Sequence, residues 1–306
     1  MKPSFKKGLA IFIAVALIGG YAGYIVYRNA HSGDIYGGIK TEDLQEDDSF
    51  TVTSGAVSYT VFNLGSGEAI LIRCGGTEAL IDTGTEKKAE TLCKELKGRV
   101  RGDLDYLVLT GPDDKRLGGA EMILSEFTVG TCVVGEMGDK ASSVNSIVSS
   151  AGTRVDGDNL AYDIGDNATL FIVKPEVSSD DPNDRSLITY FTFGNTGFVT
   201  LSDAGKEEIS RAFGNIGSCN LIVLAQHGSA VNKAIPGSNY NYCIATAGKD
   251  SGLPDPEVTD AIRATYYTTG ATGTLEFVSD GSDITLSNEE DVENALNKEE
   301  KSDESQ

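Results

Sequence analysis

Short apolar runs alternate with polar turns along most of this chain. Residues 57–62 put Val57, Tyr59 and Val61 on one face, which predicts a strand. Residues 70–74 and 78–82 predict two more, set off by glycine turns at Gly65, Gly67 and Gly75-Gly76. The period then changes. Ala89, Leu92, Cys93 and Leu96 recur at helical spacing with charges opposite, predicting an amphipathic helix over residues 86–96. Residues 104–109 read as a strand ended by Gly111 and Pro112, followed by a charged loop and a helical run at 120–127. Further strands are expected at 129–134, 160–164, 168–173, 187–193, 198–201, 221–225, 242–247, 266–268, 274–278 and 283–286. Helices are expected at 141–150, 206–213 and 258–263. An Asp-rich loop at 178–185 divides the strand–helix alternation into two halves, an α/β pattern.

Both ends of the chain depart from this pattern. Residues 8–27 are uncharged and apolar, close to the ~20 residues that span a bilayer. Lys2, Lys6 and Lys7 precede them and Arg28 follows, so the amino terminus is expected in the cytoplasm and the body outside. Tyr21, Tyr24 and Tyr27 suit an interfacial belt. The competing reading is a cleaved signal peptide with Gly20-Tyr21-Ala22 as its small-x-small site, giving a secreted body. The organisation expected is a basic stub and transmembrane anchor (1–28), an acidic linker (29–49), one folded domain (50–287) and an acidic disordered or frayed-helix tail (288–306).

Charge narrows the partners. Asp and Glu number 46 against 25 Lys and Arg, a net charge of −21, which disfavours direct contact with nucleic acid. The membrane is one expected partner. The other is an extracytoplasmic protein or small ligand that the residues do not identify. Five cysteines, Cys74, Cys93, Cys132, Cys219 and Cys243, form no Cys-x-x-Cys pair, so no zinc-ribbon or redox motif follows. A disulfide is open but unassigned.

Candidate chemistry lies in loops that follow strands. The central one reads Thr110-Gly111-Pro112-Asp113-Asp114-Lys115-Arg116-Leu117-Gly118-Gly119. It resembles the Thr-His-Pro-Asp-x-Asp-His-x-Gly-Gly stretch of metallo-β-lactamase-fold hydrolases of the ComEC/Rec2 competence-protein type. The resemblance continues in order along the chain. Asn63 to Ala69 parallels that family's Asp-Val-Gly-x-Gly-Asp-Ala turn, with Asn63 and Glu68 in place of its two acids. Ile81-Asp82-Thr83-Gly84 matches Ile-Asp-Thr-Gly, and Asn183-Asp184-Arg185-Ser186-Leu187 matches Asn-Asp-x-Ser-Leu. Ser202-Asp203 stands for Gly-Asp, Gln226-His227-Gly228-Ser229 for His-His-Gly-Ser, and Gly252-Leu253-Pro254-Asp255-Pro256-Glu257-Val258 for Gly-His-Pro-His-Pro-Glu-Val. It covers about residues 57–286 and implies an αββα four-layer sandwich with a two-metal site, the family's Gly-Asp aspartate bridging the ions.

Most of that site's ligands are changed. Gly111, Lys115 and Arg116 stand where the family has His, Asp and His; Gln226 replaces one histidine; Leu253 and Asp255 stand at two more His positions. Only two histidines exist, and His31 lies in the linker, leaving His227. The remaining acids are Asp82, Asp113, Asp114, Asp203 and Asp255. A fixed cation in such a pocket repels a divalent ion. The expectation is that Lys115 or Arg116 takes the ion's electrostatic role and pairs with Asp113 and Asp203, giving a catalytically inactive binding or assembly module without a cofactor. The alternative is a phosphodiesterase or nuclease with an altered site, using His227, Asp113, Asp203 and Asp255 around zinc or manganese. A DNA-uptake accessory is the third reading, and the charge opposes it. Each residue also has a purely structural role open to it. Asp113, Asp114, Asp203 and Asp255 suit helix caps or turns, Lys115 and Arg116 can face water, and His227 can bond within a turn.

Overall fold

The computed structural model describes residues 55–100, 102–176, 178–216, 219–235 and 240–303. The expected anchor, linker and His31 lie outside these residues, as do residues 304–306. Among the described residues no helix is long and apolar enough to cross a membrane.

The chain builds one sheet, crosses to a second and returns. It lays down β1 (Val57–Val61), β2 (Ile70–Cys74), β3 (Thr77–Ile81), β4 (Asp103–Leu109), β5 (Thr128–Val134) and β6 (Thr153–Asp156). The second sheet takes β7 (Leu160–Gly165), β8 (Ala168–Val173), β9 (Ile188–Phe193), β10 (Thr196–Thr200), β11 (Leu221–Val223), β12 (Tyr242–Ala245) and β13 (Thr265–Thr268). Two last strands, β14 (Leu275–Ser279) and β15 (Ile284–Leu286), rejoin the first. The spatial orders are β15-β14-β1-β2-β3-β4-β5-β6 and β13-β12-β11-β10-β9-β8-β7.

Strand alternation produces the layers. Successive side chains point to opposite faces. Ile70 and Ile72 enter the core between the sheets, together with Leu170, Phe191, Phe198 and Val223 from the facing sheet. Leu71 and Leu80 point the other way and pack with Leu92, Leu96, Ala120 and Ile123 of the helices Ala89–Lys97 and Ala120–Glu126. Val199, Ile222 and Cys243 do the same on the second sheet, against Ile209 and Ala212 of the helix Lys206–Asn215 and Val258 of Pro256–Ala261. Three apolar cores between four layers make an αββα sandwich.

Several departures from the sequence reading follow from burial. The strand β6 was not expected, because Thr153, Arg154 and Asp156 are exposed on a sheet edge and only Val155 carries an inward signal. A disordered tail was one expectation, but residues Glu289–Asp303 form a helix whose Val292 is buried in the inter-sheet core. Two short helices, Asp114–Leu117 and Thr269–Thr272, stand where the sequence pattern predicts a charged loop and an irregular connection. Every cysteine is a buried free thiol, so the disulfide left open is absent among them.

Register sets the cleft. β3 and β4 run parallel with Ile81 beside Val108, so Asp82 and Thr110 leave the sheet together. β10, β11 and β12 are also parallel, with Thr200, Val223 and Ile244 in line. Their carboxyl ends therefore present residues 202–203, 225–228 and 246 side by side. Loops at such ends are where α/β folds place binding and chemistry.

Candidate functional site: a buried guanidinium among three carboxylates

Arg116 is the centre of this cleft. Its short helix Asp114–Leu117 is started by Asp113, whose Oδ1 accepts the Lys115 backbone N–H at 2.7 Å. One residue on, the Arg116 side chain turns inward and is 0% exposed. Its Nε and Nη2 donate in parallel to Oδ2 and Oδ1 of Asp203, at 2.7 and 2.8 Å. Nη1 donates to Glu68 Oε1 and lies 3.5 Å from Asp82 Oδ2. The two-bond contact with Asp203 uses the planar fork that distinguishes arginine from lysine.

Two of the three acceptors are held from behind. Asp82 accepts the Thr110 backbone N–H at 2.8 Å and the Thr110 hydroxyl at 2.7 Å. Glu68 Oε2 accepts the Thr246 hydroxyl at 2.8 Å, and Thr246 Oγ1 lies 3.0 Å from His227 Nδ1. Because that hydroxyl proton is committed to Glu68, the network assigns the imidazole proton to Nδ1. His227 Nε2 has no hydrogen-bond partner among the described residues, and the ring is 3% exposed. Gln226 Nε2 donates to the backbone oxygen of Asp203 at 3.2 Å.

The electrostatics follow from burial. Arg116 is disfavoured by desolvation, but Asp203 and Glu68 more than reverse this and keep it charged. Burial pushes Asp203 up, yet the adjacent guanidinium wins and holds it below the usual carboxylate range. Glu68 is raised, burial outweighing the pull of Arg116 and Thr246. Asp82, which makes the longest contact with Arg116, is raised by burial to about 7. Burial, reinforced by Arg116, drives His227 down to about 3, so it stays neutral.

The backbone is strained in the same place. Asp82, Ser202, Gln226 and His227 have φ of 59°, 53°, 48° and 58°. Among the described residues Asn167 is the one other non-glycine with positive φ. Each such residue costs roughly 1–3 kcal/mol and persists only where its surroundings over-determine it. Here Asn232 bonds both backbone groups of Ala225, and the Gln226 N–H donates to Ser202 O at 2.8 Å.

The sequence-derived candidates divide accordingly. Asp82, Arg116, Asp203, Gln226 and His227 meet in the cleft. Lys115 is half-buried at its edge, close enough for its charge to act on Asp203 and His227. Asp113 does not pair with Arg116, contrary to expectation, because its carboxylate is spent on the helix cap. Asp114 faces outward to Lys140 Nζ at 2.5 Å. Asp255 caps the helix Pro256–Ala261 through the Glu257 N–H at 2.8 Å. Gly111 packs on Ser186 so closely that a Cβ there would lie 2.3 Å from its Oγ. Sequence reasoning missed Glu68 and Thr246 as partners. Glu68 carried one signal, since it occupies an acid position in the resemblance; Thr246 carried none.

These donors do not fit a metal ion. The carboxylates surround a planar organic cation rather than a single point, and among the described residues no three His, Cys, Asp or Glu side chains are grouped to hold one.

No protein-family model matches the chain, and no curated protein matches it in sequence. Solved structures do match in shape. The metallo-β-lactamase fold protein YhfI from Bacillus subtilis aligns with a TM-score of 0.51 at 11% identity, over 72% of this chain and 99% of that one. A diphosphatase from the PhnP family aligns at 0.47 and 13% identity, over 73% and 98%. A CmlA β-hydroxylase variant aligns at 0.47 and 11% identity, over 71% of this chain and 53% of its own. The layered sandwich and the likeness to YhfI lead to one conclusion: this chain has the metallo-β-lactamase fold.

Proposed function

We propose that this protein is a non-catalytic member of the fold, tethered to the membrane by residues 8–27 and displaying its body outside the cell as a binding or assembly module. One observation carries the reading. A fully buried guanidinium, bonded to Asp203 and Glu68 and flanked by Asp82, takes the focus on which the cleft's acids converge. A guanidinium has no open coordination position and cannot make hydroxide from water, which is what a hydrolytic metal supplies. His227, held neutral with Nε2 buried, has no nucleophile or water-activating partner in the network. The tether is supported by the length of the apolar segment and by the three lysines before it.

The test is metal analysis of the full-length protein in mild detergent, with a phosphodiester and ester hydrolysis screen in added magnesium, manganese and zinc. The expected result is no stoichiometric metal and no turnover. One or more bound equivalents would overturn the metal-free reading, and hydrolysis that disappears in Asp203→Ala would favour an altered-site hydrolase. External protease on intact cells should remove the body and spare the amino terminus.

A further inference from the structure

We infer that Arg116 is a structural cation built into the chain, and that its cradle is selective for a guanidinium over a metal ion or an ammonium. The inference rests on the non-catalytic reading but is tested separately. That reading concerns what the native protein carries, and this one concerns what the cleft accepts once Arg116 is changed.

Three observations support it. The first is acceptor geometry. Asp203 receives Nε and Nη2 as a parallel pair, while Glu68 receives Nη1 on the opposite edge. Oxygens placed around a flat fork match guanidinium, whereas a divalent ion draws its ligands to within about 2.0–2.6 Å of one point. The second is that the main chain of the same residue is also fixed. The Arg116 carbonyl accepts the Thr83 backbone N–H at 2.7 Å and the Thr83 hydroxyl at 2.8 Å, and the Glu68 N–H donates to Lys115 O at 2.9 Å. Side chain and backbone thus bind the loops after β3 and before β2, and Asp203 adds the loop after β10. The third is that the loop lies directly on its neighbours. A Cβ on Gly119 would lie 2.3 Å from Thr83 O, and one on Gly118 would lie 2.4 Å from Glu86 N. This close backbone approach seats the loop on residues 83–86 and sets Arg116 over its three carboxylates.

The experiment uses the full-length protein in detergent, as Arg116→Ala and Arg116→Lys. Arg116→Ala should lower Tm by roughly 10 °C, the scale of losing one partner of a buried ion pair in a domain of this size. Millimolar methylguanidinium, far below denaturing concentrations, should restore at least half of that loss in a saturable way. Magnesium, manganese and zinc should not. Arg116→Lys keeps the charge but lacks the fork, and should be destabilised to a similar extent. If Arg116→Ala does not accumulate folded, the same probes are read by its refolding yield from urea. The inference is overturned if zinc or manganese rescues Arg116→Ala, if methylguanidinium changes neither Tm nor refolding yield, or if Arg116→Lys is as stable as the native chain.

Discussion

At the scale of single residues, His227 shows how burial fixes a chemical state. Its folded value near 3 lies below the ordinary 6.5, so between those values the unfolded chain takes up a proton that the native chain refuses. Stability from this residue is present above pH 6.5 and is lost as pH falls towards 3. Asp82 acts in the opposite sense. Raised to about 7, it keeps a proton that the unfolded chain gives up, so its contribution is present in acid and is lost as pH rises through 7. The two oppose each other between about pH 4 and 6.5. His227→Gln should remove only the first effect, and on going from pH 7 to pH 5 the variant should gain about 2 kcal/mol relative to the native protein. Urea unfolding at the two pH values measures this, and an identical pH response in both proteins would refute it. Residue-scale legibility was uneven. Asp82 and Asp203 could be read because each ends an apolar strand at a motif position. Glu68 could not be read as buried, since a Gly-Ser-Gly-Glu turn ordinarily faces water.

At the scale of elements, most strands and helices were visible because their apolar periodicity is the burial pattern itself. β2 and β8 coincide with the runs expected at 70–74 and 168–173. Periodicity weakens where an element buries little. That is why β6, with a single inward valine, was missed, and why an acidic terminal segment with one buried valine left a frayed helix and disorder both open. The helix Glu289–Asp303 provides a direct check. Val292 packs in the inter-sheet core, whereas Glu290 is exposed. Val292→Ala should cost about 1–3 kcal/mol, and Glu290→Gln should stay within about 0.5 kcal/mol. Thermal or urea unfolding of both variants tests the assignment, and equal effects would mean that the helix does not contribute to the core. Caps behaved as the alternative structural reading allowed. Asp113 and Asp255 each start a helix, and neither reaches Arg116.

At the scale of the whole molecule, the sandwich was inferable from the order of motifs, and the focus of the cleft was narrowed to Lys115 or Arg116, with the Asp203 partner met by Arg116. Nothing in a run of Asp113-Asp114-Lys115-Arg116 says which side chain turns inward. That depends on a cap that spends Asp113 and on loops 48 and 87 residues away in sequence. The overall charge of −21 gives a prediction at this scale. Duplex and single-stranded DNA should show no retardation with the full-length protein at physiological salt, and a retained complex that weakens with added salt would contradict it.

The ring of acids around Arg116 also limits the routes by which this sequence can change. Altering the arginine alone leaves excess buried negative charge, and altering Asp203 alone leaves its guanidinium without its two-bond partner. Substitutions here are therefore strongly epistatic, each harmful alone and tolerable only in company. Rebuilding this cleft around any other cation would take several coordinated substitutions, because each single step strands a charge inside the protein.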